Sequence, residues 1–526
     1  MREGTALVNR VNPVHPFITL SFPIRRSTIR RMPRTVTRRE FVSAALAGAA
    51  IAAAVPRLSQ SQTRHPNILF ILADDLGYGD LSCYGRPDYE TPNLDRLAAQ
   101  GVRFVNAYSA SPLCTPTRCA FITGRYPART RVGLEEPLYE KRSLGDRALM
   151  LGLPPEHPTI ASLLKQSGYE TALIGKWHLG YLPNFGPIQS GFEEFFGIMS
   201  GAVDFFTHKD MEGDADLFEG KVPVERIGYM TEMLTQRSVG YIGRRKLTAR
   251  PFYLSLHYTA PHWPWEGPGE RRPNPELRGP VAFRSGGSLK RYASMMKSLD
   301  DGIGEVLRAL AQAGFERNTL VIFTSDNGGE RFSYNWPFMG QKNSLWEGGI
   351  RVPAILRWPG VIPAGNTANH MSGNTQRRGM GSVSGVAAFA ALPPGGRIVE
   401  QPSITMDWTA TILAAAHTKP DPNYPLDGQD LLPAIRSTRS PAPVTQHPTP
   451  FSDRAFFWRN SNQDAALKGP WKYLNDGSRE YLFNLSVDQR EQANFRDQNP
   501  AMFNQLRSEF KSWESTVLPR PPARSR

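Results

Sequence analysis

The stretch HPNILFILADDLGYGD (residues 65–80) decides the fold class of this chain. Residues 67–73 form a run of strand length in which only Asn67 is polar, and the run stops at Asp74 and Asp75. An uninterrupted apolar run is typical of a strand that is buried on both faces, as in a parallel sheet. We therefore predict a buried parallel strand whose carboxyl end opens into a loop that carries two carboxylates.

Strand-like and helical patterns alternate from residue 65 to about residue 435. The strand-like segments end in polar residues, namely Asp74-Asp75, Lys176 and His178, His262, and Asp326-Asn327. The alternation predicts an α/β fold in which a large, mostly parallel sheet is sandwiched by helices. Ligands of such sheets bind beyond the carboxyl ends of the strands, so we expect these polar residues to meet at one edge.

The chain divides into four regions by composition. Residues 65–435 form the predicted catalytic domain, in which the Gly/Ser-rich stretch 371–401 has no clean period and is expected to be an atypical insertion. A Pro/Ser/Thr-rich linker follows at 436–450. Short aromatic-rich segments and a terminal helical pattern in 451–526 predict a small antiparallel sheet with a helix packed on it.

The leader, residues 1–64, accounts for much of the basic character. Through Ala54 it contains nine Arg and two Glu, which is half of the chain's net charge of +14. Arg38 and Arg39 precede an apolar run too short to span a membrane, an arrangement that resembles a twin-arginine export signal. Met32 is an alternative start, and an ordinary secretory signal or an N-terminal anchor is the alternative interpretation. We expect a bacterial protein exported to the periplasm or beyond by the twin-arginine machinery. We do not expect nucleic-acid binding, since no basic helix follows.

The acidic residues at the strand ends suggest a metal site. Consecutive residues of a strand point to opposite faces, so Asp74 and Asp75 can converge only because the strand ends there. Asp326 and Asn327 repeat the arrangement on a second strand. Three carboxylates and one amide oxygen suit Ca²⁺ or Mg²⁺ rather than zinc. Turn and cap residues are the alternative, but the occurrence of both pairs after buried strands favours the metal.

One short motif carries a family resemblance. Cys114-Thr-Pro-Thr-Arg118, followed by Thr123-Gly-Arg125, resembles the signature of the sulfatases of the alkaline phosphatase superfamily. In that family Cys-x-Pro-x-Arg marks a cysteine that a formylglycine-generating enzyme oxidises to Cα-formylglycine. The segments IGKWHLG, APHWP, TSDNGG and GQKNSLWEGGIRVP resemble further active-site segments of the family, in the expected order. A buried structural cysteine is the alternative for Cys114.

The resemblance implies an alkaline phosphatase-like fold, a sulfuric ester hydrolase and a set of site residues. The implied Ca²⁺ ligands are Asp74, Asp75, Asp326, Asn327 and the oxygen of modified Cys114. Arg118 would orient the formylglycine, and His178 would hydrogen-bond its hydroxyl and take its proton. Lys176, Lys342 and His262 would bind the sulfate oxygens, and His262 or Lys342 would protonate the leaving alcohol.

The sequence gives less information about the substrate. The resemblance to arylsulfatases implies an aryl sulfate or a sulfated carbohydrate. Aromatic residues near the predicted site, in residues 200–210 and 257–268, are suited either to stacking on a sugar or aryl ring or to loop cores. Two further functions stay open. One is a phosphonate monoester or phosphodiester hydrolase of the same superfamily, and the other is a catalytically silent protein that binds sulfated glycans.

Overall fold

A computed structural model describes residues 65–270, 278–362, 396–437 and 453–521. The predicted leader, most of the predicted insertion and most of the predicted linker therefore lie outside the described residues. Within the described part of the chain, no helix is both long and apolar enough to cross a membrane.

The helices and strands alternate through most of the chain. The helices are α1 (Pro92–Ala99), α2 (Cys114–Thr123), α3 (Lys141–Leu144), α4 (Ile160–Gln166), α5 (Met230–Arg245), α6 (Gly279–Arg284), α7 (Leu289–Gln312), α8 (Glu347–Ile350), α9 (Thr405–Ala415), α10 (Leu432–Ser437) and α11 (Pro500–Glu514). The strands are β1 (Asn67–Ala73), β2 (Val102–Phe104), β3 (Ala107–Tyr108), β4 (Glu170–Lys176), β5 (Glu194–Ile198), β6 (Leu217–Glu219), β7 (Val222–Pro223), β8 (Phe252–His257), β9 (Thr319–Ser325), β10 (Ala354–Arg357), β11 (Arg397–Val399), β12 (Ser403–Ile404), β13 (Phe456–Arg459), β14 (Asp464–Lys468), β15 (Trp471–Asn475) and β16 (Glu480–Asn484).

The large sheet has ten strands in the order β11-β2-β10-β9-β1-β8-β4-β5-β6-β7. The five central strands, β9, β1, β8, β4 and β5, run parallel to one another. Strands β10 and β6 are antiparallel to their inner neighbours. β1 lies in the middle of the sheet and is buried along its whole length, as its apolar sequence predicts. The prediction of a large, mostly parallel sheet is confirmed.

Helices cover both faces of this sheet. Leu69 and Ile71 of β1 point into a core shared with α1, α5 and α7. Ile68 and Phe70 point into a second core shared with α2, α4 and α9. Side chains of a strand alternate between its two faces, so an apolar strand is required where both faces are covered. The predicted sandwich is confirmed.

The C-terminal region forms a four-stranded antiparallel sheet, β13-β14-β15-β16. Phe503, Leu506 and Phe510 of α11 pack on one face of it. Its other face packs against residues of the large domain, and the indole N–H of Trp458 donates to the Ser109 carbonyl at 2.7 Å. The predicted small sheet with a packed helix is confirmed.

The end of the stretch predicted as an atypical insertion belongs to the large sheet. β11, within residues 371–401, pairs in parallel with β2 at the sheet edge. Of the predicted insertion, therefore, Arg397–Val399 are regular structure. The strand was not predicted from the sequence, because it has only three residues and follows a Gly/Ser-rich stretch.

Candidate active site

The two predicted acidic pairs meet at the carboxyl edge of the large sheet. Asp74 and Asp75 follow β1, and Asp326 and Asn327 follow its parallel neighbour β9. Asp75 donates its backbone N–H to Asp326 Oδ1 at 3.1 Å, and Asn327 Nδ2 donates to Asp75 Oδ1 at 2.7 Å. Asp75 has a φ of 63°, a left-handed conformation that turns the chain at the strand end. All four side chains are buried. We call this group the acidic edge.

Cys114 begins α2 and lies against the acidic edge. Its Sγ atom is 3.4 Å from Asp74 Oδ1 and 3.9 Å from Asp75 Oδ1. Burial, together with the negative charges of Asp326 and Asp74, raises the pKa of the Cys114 thiol well above its ordinary value. Residue 114 is therefore a neutral thiol at physiological pH, and a thiol is a weak nucleophile.

Arg118 lies one helical turn after Cys114 and is completely buried. Its Nε and Nη2 atoms donate to Asp326 Oδ2 at 3.1 and 2.8 Å, and Nη1 donates to the Lys176 carbonyl at 3.1 Å. The guanidinium thus neutralises Asp326 and ties the end of β9 to the end of β4.

Two lysines that are far apart in the sequence each pair with one carboxylate of the acidic edge. Lys176 Nζ, at the end of β4, is 2.6 Å from Asp74 Oδ2, and Lys342 Nζ is 2.6 Å from Asp75 Oδ2. Burial alone would lower the pKa of Lys342, but Asp75 more than offsets it, and the pKa lies above its ordinary value. Buried lysines need such partners, because an unpaired buried charge is strongly unfavourable.

His178 follows β4 in a left-handed conformation with a φ of 58°. Its Nε2 atom donates to the Leu138 carbonyl at 2.9 Å. Its Nδ1 atom is buried and has no hydrogen-bond partner within the described part of the chain. Burial and the nearby Lys176 ammonium lower the pKa of His178 well below its ordinary value. The ring is therefore neutral, with Nδ1 left as a proton acceptor.

His262 lies on the other side of Asp75. Its Nδ1 atom donates to the Trp263 carbonyl at 2.6 Å, and Nε2 is 3.5 Å from Asp75 Oδ2. Burial and the Lys342 ammonium lower the pKa of His262 well below its ordinary value. This ring, too, is neutral, and it presents an unprotonated Nε2 towards the acidic edge.

The acidic edge has the donor atoms of a cation site. Ligand atoms of Asp74, Asp75, Cys114 and His262 all lie within 4.8 Å of one another. Asn327 Oδ1 is buried without a hydrogen-bond partner in the described residues, so one further oxygen is available. Asp326 is adjacent, although its Oδ2 atom accepts from Arg118 and its Oδ1 atom accepts from the Asp75 backbone N–H. Most of these donors are oxygens, which hard cations such as Ca²⁺ and Mg²⁺ prefer.

His257, Asp80 and Glu330 contribute to the site but were missed from the sequence. His257 ends β8, where Nδ1 donates to the Lys176 carbonyl at 3.1 Å. Asp80 pairs with the buried Arg86 at 2.6 Å. Glu330 Oε2 accepts the Trp263 indole N–H at 2.8 Å. Two sequence signals were available. The polar residues within the apolar strand FYLSLH could have indicated His257, and the acid after the turn LGYG could have indicated Asp80. Glu330 had none.

The aromatic residues near the site form loop cores. Trp263 and Trp265 are each only 5% exposed. The Trp265 ring packs edge-on against Phe332 at 5.0 Å, and Phe205 stacks on Tyr229 at 5.4 Å. Of the two alternatives left by the sequence, the structure therefore favours loop packing over an open stacking face for these residues.

Comparison with known proteins agrees with this geometry. Residues 66–418 match the family model described as Sulfatase. The chain is 33% identical to N-acetylgalactosamine-6-sulfatase of Sus scrofa over 426 residues, covering 77% of this chain and 71% of that protein. It is 33% identical to arylsulfatase A of Homo sapiens over 404 residues, covering 71% and 68%. The crystal structure of Ps i-CgsB in complex with k-i-k-neocarrahexaose superposes with a TM-score of 0.69 at 27% identity, covering 85% of this chain and 92% of that one. The chain belongs to the sulfatase family, and it is a sulfatase, an enzyme that hydrolyses sulfate esters.

Proposed function

We propose that this sulfatase cleaves the sulfate monoester of a carbohydrate through a Cα-formylglycine formed from Cys114, with one Ca²⁺ bound at the acidic edge. The observation that carries the proposal is the position of Cys114, whose Sγ lies 3.4 Å from Asp74 Oδ1 at the start of a buried helix. As a thiol with a raised pKa, residue 114 is a poor nucleophile. Hydrated formylglycine supplies a hydroxyl nucleophile for sulfur and a second hydroxyl that allows the sulfate to be expelled.

The proposed Ca²⁺ ligands are Asp74, Asp75, Asp326, Asn327 and the oxygen of modified residue 114. Ca²⁺ accepts six to eight oxygen ligands in flexible arrangements. Asn327 Oδ1, which has no hydrogen-bond partner among the described residues, supports the assignment, since a buried amide oxygen otherwise finds a donor. When bound, the cation lowers the pKa of a coordinated hydroxyl and offsets charge on the sulfuryl oxygens.

The two buried lysines are suited to bind the sulfate. Lys176 and Lys342 are fixed by Asp74 and Asp75, so their ammonium groups are in place before negative charge spreads over the sulfuryl oxygens. Positive groups that are already oriented stabilise such a transition state without reorganisation. We assign the hydrogen bond to the leaving oxygen to Lys342, because neutral His262 presents an unprotonated Nε2 and has no proton to give there.

His178 is suited to take a proton from residue 114. Its Nε2–H is held by the Leu138 carbonyl, which leaves Nδ1 as the acceptor. Burial, together with the Lys176 ammonium two residues earlier, lowers the pKa of His178 and so favours a neutral ring that can accept a proton. Arg118 fixes the strand ends around this pair through Asp326 and the Lys176 carbonyl.

The proposed leaving group is a carbohydrate alcohol. N-acetylgalactosamine-6-sulfatase is named for a sulfated sugar, and the structure of Ps i-CgsB contains a neocarrahexaose. An aryl alcohol is the second candidate, since arylsulfatase A is about as similar in sequence. Turnover of a panel of sulfated sugars beside an aryl sulfate distinguishes the two.

We also propose export by the twin-arginine machinery after modification by a formylglycine-generating enzyme. The Arg38-Arg39 leader lies outside the described residues, so its sequence alone supports this step. Cys114 is 2% exposed in the folded chain. An enzyme that oxidises it must therefore act before α2 packs, and a pathway that carries folded proteins requires modification before export.

The decisive experiment is the mass of the tryptic peptide that spans Phe104 to Arg118, from protein made in a host that modifies other sulfatases. Conversion of Cys114 to formylglycine removes about 18 Da and blocks thiol alkylation. Cys83 and Cys119 serve as internal controls, because both should stay alkylatable once the protein is unfolded. An unmodified Cys114 in that host would overturn the proposed mechanism.

A further inference from the structure

A narrow cleft of about 150 Å³, with no room inside it for a water molecule, lies beside Asp75 of the acidic edge. Its lining residues are Asp75, Pro261, Trp263, Trp265, Tyr292, Glu330 and Arg331. The two tryptophans are 5% exposed and serve as walls of the cleft. Three charged groups line the cleft, namely the carboxylates of Asp75 and Glu330 and the guanidinium of Arg331. The two carboxylates have partners within the protein, because Asp75 pairs with Lys342, and Glu330 accepts the Trp263 indole N–H.

Arg331 is an exposed arginine that lies over two aromatic rings. Its guanidinium carbon lies 4.6 Å from the ring centroid of Phe332 and 5.6 Å from that of Trp265. In the described ranges, no carboxylate lies within ion-pair distance of it. A guanidinium held on aromatic rings is oriented in advance and loses little freedom when it binds. Its N–H donors are suited to two parallel hydrogen bonds with a sulfate or a carboxylate.

The loop that carries Arg331 is strained and firmly anchored. Phe332 has a φ of 72°, which is rare for a bulky side chain. Asp80 holds the next two residues, since it accepts the Ser333 hydroxyl at 2.5 Å and the Tyr334 backbone N–H at 2.9 Å. Strained conformations of this kind persist where the surrounding structure imposes them, often at functional sites. The anchoring fixes the direction in which the loop presents Arg331.

The same loop is joined to the catalytic group that we assign to the leaving oxygen. The backbone N–H of Lys342 donates to the carbonyl of Gly329, two residues before Arg331, at 3.1 Å. Glu330, between them, is 3.9 Å from Lys342 Nζ. An alcohol that leaves beside Lys342 therefore departs next to the loop that carries Arg331.

We propose that Arg331 binds a second anionic group on the alcohol part of the substrate. The preferred substrate is then a sulfated oligosaccharide with at least two anionic groups, and the second is either a sulfate or the carboxylate of a uronic acid. This inference rests on the proposed function, because it assumes that the sulfate ester is cleaved beside Lys342. Arg331 acts here as a specificity-determining residue and takes no part in the bond-breaking step.

The test measures kcat/KM of wild type, R331Q and R331K on four substrates. The substrates are an aryl sulfate, a monosulfated disaccharide, and the same disaccharide with a second sulfate or with a uronate carboxylate. We expect wild type to prefer one of the dianionic sugars by about 10- to 100-fold in kcat/KM, the usual contribution of a charge-assisted contact. R331Q should lose this preference while its aryl sulfate turnover stays within about twofold. R331K should keep part of it, and added salt should reduce the preference because the group is exposed.

The matched control is R496Q. Arg496 is also exposed and lies over an aromatic ring, 4.8 Å from the centroid of Phe503, but it belongs to the C-terminal sheet region. Its removal should leave the preference unchanged. Equal losses on all substrates in R331Q, or no preference for dianionic sugars in wild type, would overturn the inference.

A binding experiment separates this inference from the proposed function. The C114A variant cannot turn over, so the affinity of each sugar for it can be measured by calorimetry. We expect C114A to bind the dianionic disaccharide at least about tenfold more tightly than the monosulfated one, and C114A/R331Q to bind both alike. Inactivity of wild type on every sulfate, with this binding difference intact, would refute the proposed function alone. Aryl sulfate turnover without the binding difference would refute the role of Arg331 alone.

Discussion

Lys472, on β15 of the C-terminal sheet, places its Nζ atom 2.9 Å from Oε1 of Glu347, the first residue of α8. The same Nζ is 2.8 Å from Oε1 of Glu491, and all three side chains are buried. Glu347 follows Lys342 by five residues, and the Glu347 backbone N–H also donates to Glu491 at 2.7 Å. The C-terminal sheet therefore fixes the segment that carries a lysine of the acidic edge.

Removal of the Lys472 charge should strongly destabilise the fold. K472M leaves Glu491 as a buried carboxylate without its cation, and leaves Glu347 with Arg351 as its one remaining cation among the described residues. Breaking a buried pair in this way typically costs about 3–5 kcal/mol. Denaturant unfolding of wild type and variant measures the change. K468M is the matched control, because Lys468 on the neighbouring strand is about one-third exposed and pairs with Glu509 at 2.8 Å. That surface pair should contribute less than about 1 kcal/mol. Similar losses in the two variants would contradict a special role for Lys472.

The two cysteines of the signature helix should differ completely in function. C114A should abolish sulfate ester hydrolysis, because the residue that supplies the nucleophile is gone. C119A should keep most of it, although Cys119 is equally buried and its Sγ contacts Thr130 Oγ1 at 2.9 Å. The loss of that packing should cost about 1 kcal/mol of stability. Hydrolysis rates and melting curves of both variants check this. Hydrolysis by C114A at the wild-type rate would contradict it.

Lys342 and Lys176 should respond differently to the leaving group. K342A should lower kcat/KM by about 10²–10³ for sugar sulfates and much less for aryl sulfates, because a good leaving group needs little help. K176A instead removes the positive charge that stabilises the sulfuryl oxygens. Hydrolysis of both substrate classes should therefore slow to the same extent. A series of aryl sulfates of graded leaving-group pKa gives the slope for each variant. Equal slopes in K342A and wild type would contradict the assignment of Lys342 to the leaving oxygen.

Removal of the metal should reduce both activity and stability. Chelation should stop hydrolysis, and added Ca²⁺ should restore it. At about 100 times its dissociation constant, a bound ion stabilises the fold by about 2.7 kcal/mol, which is visible as a rise in melting temperature. D326N should diminish this rise, and Mg²⁺ should be tested in parallel with Ca²⁺. Full activity after exhaustive chelation, with an unchanged melting curve, would argue against the proposed cation.

Glu140 should make the stability depend on pH. Burial, with the negative charges of Asp210 and Glu212, raises the pKa of Glu140 from 4.5 to about 7. The unfolded chain releases this proton at a lower pH than the folded chain does. The free energy of unfolding that Glu140 contributes therefore falls as the pH rises from about 4.5 to about 7. E140Q should match wild type near pH 4.5 and exceed it by about 2 kcal/mol at pH 8.

The control for this prediction is E156Q, since Glu156 is exposed. Urea unfolding midpoints at several pH values measure both variants against wild type. E156Q should follow wild type throughout. A difference between E140Q and wild type that does not change with pH would show that Glu140 titrates alike in the folded and unfolded chain.

Local sequence was enough to predict the fold and the principal polar residues. The run of residues 67–73 predicts a central strand, because only a strand covered on both faces tolerates the six consecutive apolar residues that follow Asn67. Strand ends then place Asp74, Asp75, Asp326 and Asn327 at one edge. The roles of these residues in catalysis stay predictions until the variants are measured.

The sequence by itself determined the α/β class, the small C-terminal sheet and the meeting of polar strand ends, since all of these follow from periodicity and chain direction. Only the tertiary structure decided which charges pair. It placed Arg118 on Asp326, enclosed Trp263 and Trp265 in loop cores, and left Arg331 exposed over Phe332. Pairing and burial depend on contacts between segments up to hundreds of residues apart, and no local pattern encodes them.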